Sequence, residues 1–149
     1  MLIKYLLAAH NIIRWLVLAA GAYTVFRAWS GWSGRKPWTD ADASAVRLFV
    51  NALSLQFAIG VLVYATSPLI RTGLSNMSEG MREPSIRYFL VEHVAVMILA
   101  IAIAHIGAAK VRKAASDSAR FQTATIWMGI AFAAVAGFVP WGRPLFPNF

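Results

Sequence analysis

Four apolar runs dominate this chain: Tyr5 to Phe26, Leu48 to Ile70, Tyr88 to Ala109 and Phe121 to Trp141. Each is close to the roughly 20 residues that cross a hydrocarbon core as a helix. Arg14 and Glu92 are the only charged residues inside them. No water is available in a bilayer to satisfy a bare backbone, so runs of this kind have to be helices. Four of them joined by short connections predict an all-α fold, an integral membrane four-helix bundle running antiparallel, up-down-up-down, as a single domain over residues 1–149. Composition agrees, with 59% hydrophobic and 13% charged residues, the charges held in a few clusters. Ala19-Ala20-Gly21-Ala22 looks like a cleavage site. The first run is longer than the apolar region of a signal peptide, however, so a retained helix is expected.

The formal charge of +8 would point to nucleic acid in a water-soluble chain. Here the bases crowd the segments between spans, so orientation explains them and no nucleic-acid partner is expected. One side carries Arg27, Arg35, Lys36, Arg47, Lys110, Arg112, Lys113 and Arg120; the other carries Lys4, Arg71, Arg82, Arg87 and Arg143, with Glu79 and Glu83. The richer side belongs in the cytoplasm. The expected location is the bacterial inner (cytoplasmic) membrane, multi-pass, with both termini periplasmic and the lipid bilayer as the first partner. Cysteine is absent, which excludes disulfides, thiolate metal sites and covalently attached c-type haem.

The connections carry ordinary punctuation. Thr39 to Asp42 offers a polar cap for the second helix, Pro84 suits the first turn of the third, and Ser116-Asp117 suits the start of the fourth. Trp29, Trp32 and Trp38 on one side, with Tyr5, Tyr88 and Trp141 on the other, form an interfacial aromatic belt.

Within this frame one heptapeptide pattern occurs twice. Lys4 to His10 reads KYLLAAH and Arg87 to His93 reads RYFLVEH. Helices one and three run the same way, so equal spacing from equivalent tyrosines predicts equal depth, about 7–8 Å below each tyrosine. Helices one and three are commonly diagonal in such a bundle. Two neutral imidazoles facing each other at one level are what a single b-type haem needs, which makes His10 and His93 candidate metal ligands. The alternative is a chance repeat in which each histidine bonds a neighbouring helix.

Other residues form the expected surroundings. Gln56, Gly60 and Tyr64 stand four apart on one face of helix two, two polar handles with a gap that would suit a flat macrocycle. Glycine also serves simply to let membrane helices approach. Arg14 follows His10 by four residues, and buried in lipid it needs a partner: Glu92, a haem propionate or a quinone head. Lys4, Arg82 and Arg87 crowd the outer end, where propionates seek bases. His105 lies about 18 Å deeper than His93 and about 120° around the helix, too far to complete a second ligand pair, so a structural or proton-handling role is expected. Met97 and Met128 read as packing.

The segments HNIIRW (His10 to Trp15), LQFAIGVLVY (Leu55 to Tyr64) and VEHVAVM (Val91 to Met97) resemble a family of small bacterial four-span membrane proteins labelled cytochrome b-like. The resemblance covers nearly the whole chain. It implies haem ligation at His10 and His93, with Arg14, Gln56 and Glu92 as polar surroundings. The four-helix b cytochromes that carry two haems and oxidise quinol have a second ligand pair, which this sequence lacks. Electron transfer between two haems is therefore not expected.

Three readings follow. The first is a membrane b-type cytochrome with one bis-histidine haem b, exchanging electrons with quinol or a redox partner protein; a quinone would then be a second cofactor. The second is a non-catalytic accessory or scaffold subunit, as a homo-oligomer or inside a larger membrane complex. The third is a non-haem metal site of His10, Glu92 and His93, weakened because adjacent helical residues point about 100° apart. No set of residues suits nucleophilic hydrolysis, and none is assigned a catalytic role.

Overall fold

A computed structural model describes residues 2–142, and among these the chain is all-helical, without a strand. Arg143, counted above among the outer bases, lies outside the described residues. Three helical segments are long and apolar enough to cross a membrane: α1 (Leu2–Ser33), α2 (Asp40–Thr66) and the continuous stretch Pro84–Lys113. The last consists of α5 (Pro84–Arg87), a π-helical turn (Tyr88–Glu92) and α6 (His93–Lys113). Before it come α3 (Pro68–Ser75) and α4 (Met77–Arg82), and after it α7 (Asp117–Gly137).

The differences from the sequence expectation have local causes. Helix two begins at Asp40 rather than Leu48, because Thr39 and Asp42 cap it: the Asp42 carboxylate accepts the Thr39 backbone N–H at 2.9 Å. It stops at Thr66 because Ser67 precedes Pro68 and takes an extended conformation, as residues before proline do. The second connection is two short helices rather than coil. The fourth run, Phe121 to Trp141, is helical only to Gly137 and is not among the segments apolar enough to cross. Asp117, Arg120, Gln122, Thr123 and Thr125 make the first half of α7 polar. Ser116 caps it as its sequence suggests, accepting the Ala119 N–H at 3.2 Å.

α1 packs against α2 and α7, while α6 packs against α7 and, over a smaller contact, against α2. α1 and α6 thus share two neighbours instead of a main interface. The core is Val17, Phe49, Leu53, Met128 and a line of fully buried alanines, Ala100, Ala104, Ala124 and Ala131. Small residues let α6 and α7 approach closely where lipid gives no hydrophobic drive to association. Met128 is fully buried in this core, which is packing. A Cβ on Gly31 would collide with the Phe121 ring, and that ring lies edge-on to Trp38 at 4.8 Å. Leu7, Ile12, Leu16, Leu55, Leu62, Leu99 and Ile130 face outward. An outer surface of large apolar side chains is unfavourable in water and suits lipid.

Polar bonds tie α1 to α2. Thr24 Oγ1 lies 2.7 Å from the Ala20 carbonyl and 2.8 Å from that of Ala45 on α2. Arg27 grips Asp42 Oδ1 from Nε (2.9 Å) and Nη2 (2.7 Å), and the Asp42 side chain is only 7% exposed. Removing one partner leaves the other desolvated and unpaired. Arg27→Leu should therefore cost about 1.5–3 kcal/mol, and Arg27→Leu with Asp42→Leu distinctly less than the sum of the single changes. Unfolding in detergent followed by circular dichroism checks this; strictly additive losses would show that the contact contributes nothing.

Candidate functional site

At the end of the bundle opposite the Arg27–Asp42 clamp, the sequence-selected residues come together only in part. Gln56 is buried on α2 and donates its Nε2–H to the backbone carbonyl of His10 at 3.0 Å, so it holds the α1 main chain rather than the imidazole. Gly60, one turn on, faces the His10 ring: a Cβ there would stand 3.1 Å from His10 Cε1. The gap that the sequence offered to a macrocycle is occupied by the imidazole itself. His10 Nδ1 and Gln56 Oε1 are buried and have no close hydrogen-bond partner among the described residues. Arg14 is buried on the same side of α1, its Nη1 3.4 Å from Asn11 Oδ1 and its guanidinium over the Trp15 ring at 5.7 Å.

His93 is held differently. Its Nδ1 lies 3.0 Å from the carbonyl oxygen of Phe138, just past α7. A carbonyl only accepts, so Nδ1 carries the proton and Nε2 presents the lone pair. The Tyr88 hydroxyl donates to the same oxygen at 2.6 Å, and the Tyr88 and Phe138 rings stack at 6.4 Å, 8° from parallel. Tyr88 meets His93 because the backbone here is π-helical, with the His93 N–H bonded to the Tyr88 carbonyl. Their ring centroids are 5.8 Å apart. In α1 the corresponding Tyr5 and His10 are separated by ordinary α-helical geometry, about 140° around the axis. The repeated heptapeptide is therefore not a repeated structure. Tyr64 donates to the Leu90 carbonyl within the π turn at 3.1 Å, fastening α2 to it.

His10 and His93 lie at the same end of the bundle, His10 against Gln56 and Gly60 of α2 and the π turn before His93 against Tyr64 of the same helix. The remaining candidates lie further out. Glu92 pairs with Arg87 at 2.7 Å, both about two-fifths exposed (41% and 40%), and Arg87 also reaches the Met81 carbonyl at 3.3 Å. The Arg87 guanidinium thus provides the partner for Glu92 that the sequence left open to Arg14. Lys4 is exposed on α1. Among the described residues no cluster of three histidine or acidic side chains suits a metal ion, so the reading of His10, Glu92 and His93 as a non-haem site has no support.

His105 stands apart. Ser54 Oγ donates to the Val50 carbonyl at 2.7 Å, which leaves it to accept from His105 Nε2 at 2.9 Å. The bond ties α6 to α2, a structural role.

The sequence missed Phe138, whose part is played by a backbone carbonyl and so leaves no side-chain signal. It also missed the π turn, for which the pattern RYFLVEH shows no glycine or proline. Compared with protein-family models, curated proteins and solved structures, the chain matches none.

The doubly used Phe138 carbonyl gives a direct test. Tyr88→Phe keeps the ring stack and removes one donor, so it should lower unfolding stability in detergent by about 1 kcal/mol. Tyr88→Leu, which also removes the stack, should cost clearly more. Equal losses would show that the stack adds nothing.

Proposed function

We propose that this chain is a membrane b-type cytochrome: an antiparallel four-span bundle of the bacterial inner membrane, both termini periplasmic, with one haem b between His10 and His93. Electron exchange with quinol or a redox partner protein would be its role. One observation carries the reading. On two helices that share neighbours across the bundle, two half-buried imidazoles lie at the same end, one with Nε2 freed by its Nδ1–carbonyl bond and the other with a buried Nδ1 that makes no close hydrogen bond among the described residues. An imidazole fixed by a second-shell carbonyl is the usual state of a ligating histidine. A buried ring nitrogen without a partner is costly in a purely structural role.

The donor set fits a bis-imidazole haem, which would supply the one-electron chemistry. His93 is anchored and oriented by Phe138 and Tyr88. His10 packs on Gly60, where the absence of a Cβ admits its ring. Arg14 provides a buried positive charge beside His10, and exposed Lys4 a base for a propionate. Arg87 is engaged by Glu92, and its availability to a propionate depends on releasing that carboxylate.

A second reading has its own observation. The His10 ring fills the space over Gly60, as it would in an accessory or scaffold subunit whose histidines only pack helices.

Absorption spectra of protein purified from haem-supplemented cells separate the two. The cytochrome reading expects one haem per chain with a low-spin reduced spectrum, lost in His10→Ala and in His93→Ala while helicity is retained. Gly60→Leu, which crowds His10, should reduce occupancy. Haem-free wild-type protein under those conditions would leave the scaffold reading.

A further inference from the structure

The opposite end of the bundle holds a second feature that the haem reading does not use. Where α2 and α6 part, a cavity of about 400 Å³ is walled by Arg47, Arg112 and Arg120, one arginine each from α2, α6 and α7. Trp38 and the buried aliphatic chains of Val46 and Val111 complete it. We propose that this cavity binds the phosphodiester headgroup of an anionic phospholipid, with the acyl chains lying along the α2–α6 seam.

Charge is the first support. Among the described residues Arg47 bonds the neutral Ser44 hydroxyl, at 2.7 Å, and forms no ion pair. Arg120 has a distant contact to Asp117 at 3.7 Å, both side chains well exposed. Arg112 forms no ion pair among the described residues. By contrast, the nearby Arg27 is fully engaged by Asp42 at 2.7 Å. Three guanidiniums against one weakly held carboxylate make a site that a multiply accepting anion would neutralise, and the planar guanidinium suits phosphate through paired N–H donors.

Shape is the second support. The wall formed by Val46 and Val111 is apolar, as the glycerol and first methylenes of a lipid require and a free inorganic anion does not. The cavity opens at the least extensive of the four main helix contacts, α2 with α6. Basic pockets between spans at a cytoplasmic face are where acidic headgroups bind. The site needs the bilayer but not the haem.

The test uses the full chain in nanodiscs of phosphatidylcholine, with phosphatidylglycerol added in increments and bound lipid read by native mass spectrometry and thermal stability. Wild-type protein should retain phosphatidylglycerol at least tenfold over phosphatidylcholine and melt at a higher temperature with it. Arg112→Gln with Arg120→Gln should abolish both effects, and Lys113→Gln, outside the cavity, should leave them. No preference in the wild type overturns the proposal without reference to any variant. Retained preference in the double variant, or equal loss in Lys113→Gln, reduces the effect to diffuse surface charge and overturns it too. An equal stability shift with inorganic phosphate in place of the lipid would make this a free-anion site and overturn the lipid assignment. Failure to enter phosphatidylcholine nanodiscs would contradict the membrane placement itself, a separate result.

Discussion

The hydrocarbon surroundings that the outer surface calls for impose one constraint on everything else: polar groups must find partners within the protein. The long helices satisfy their own backbones, and the hydroxyls on them follow suit. Ser54, Thr66 and Thr125 each bond back to the carbonyl four residues earlier, and Thr24 adds a carbonyl of the neighbouring helix. With the easy polar groups absorbed this way, the few that stay unsatisfied stand out. His10 Nδ1 and Gln56 Oε1 lie together at one end, and that coincidence is what turns a packing region into a candidate site.

The π turn shapes that site most. By sequence, Tyr5 to His10 and Tyr88 to His93 are the same step; in structure one is an α-helical step and the other closes a five-residue π turn. The extra residue in the turn places the Tyr88 ring against His93 and lets both reach Phe138. π turns within helices occur frequently at functional sites. Here the effect is asymmetry: His93 is locked in one tautomer and one orientation, and His10 is held only by its main chain through Gln56.

What the sequence made legible was whatever depends on solvent preference or on one local residue. The apolar runs, the caps at Thr39 and Ser116, the proline opening α5 and the packing role of Met128 all have that character. The boundaries of α2 were displaced because helix propensity continues beyond the apolar window once Asp42 caps it and Arg27 neutralises it. Loop two reads as coil since α3 and α4 are too short for a periodic signal. At the candidate site, the sequence placed Gln56, Gly60 and Tyr64 on one face of helix two with His10 and His93 opposite, but it did not show what Gln56 and Tyr64 bond. Gln56 and Tyr64 both donate to main-chain carbonyls, and carbonyls are common to every residue type. The partner of Glu92 was open between bases because i to i+5 contact with Arg87 is not a feature of an α-helix; only the π turn supplies it.

The two ends of the bundle therefore differ in kind. Around His10 and His93 the polar groups are mainly neutral, few and oriented by main-chain contacts, with Arg87 and Glu92 neutralising each other at the rim. Around Arg47, Arg112 and Arg120 they are cationic and only weakly compensated. At the histidine end, hydrogen-bond geometry set by the main chain decides how each side chain is held. An open, uncompensated positive pocket favours a ligand selected by charge, whose position the apolar wall restricts. The difference follows from unequal helix contacts: small alanines let α6 pack closely on α7, and the looser meeting of α2 with α6 leaves the opening at the arginine end.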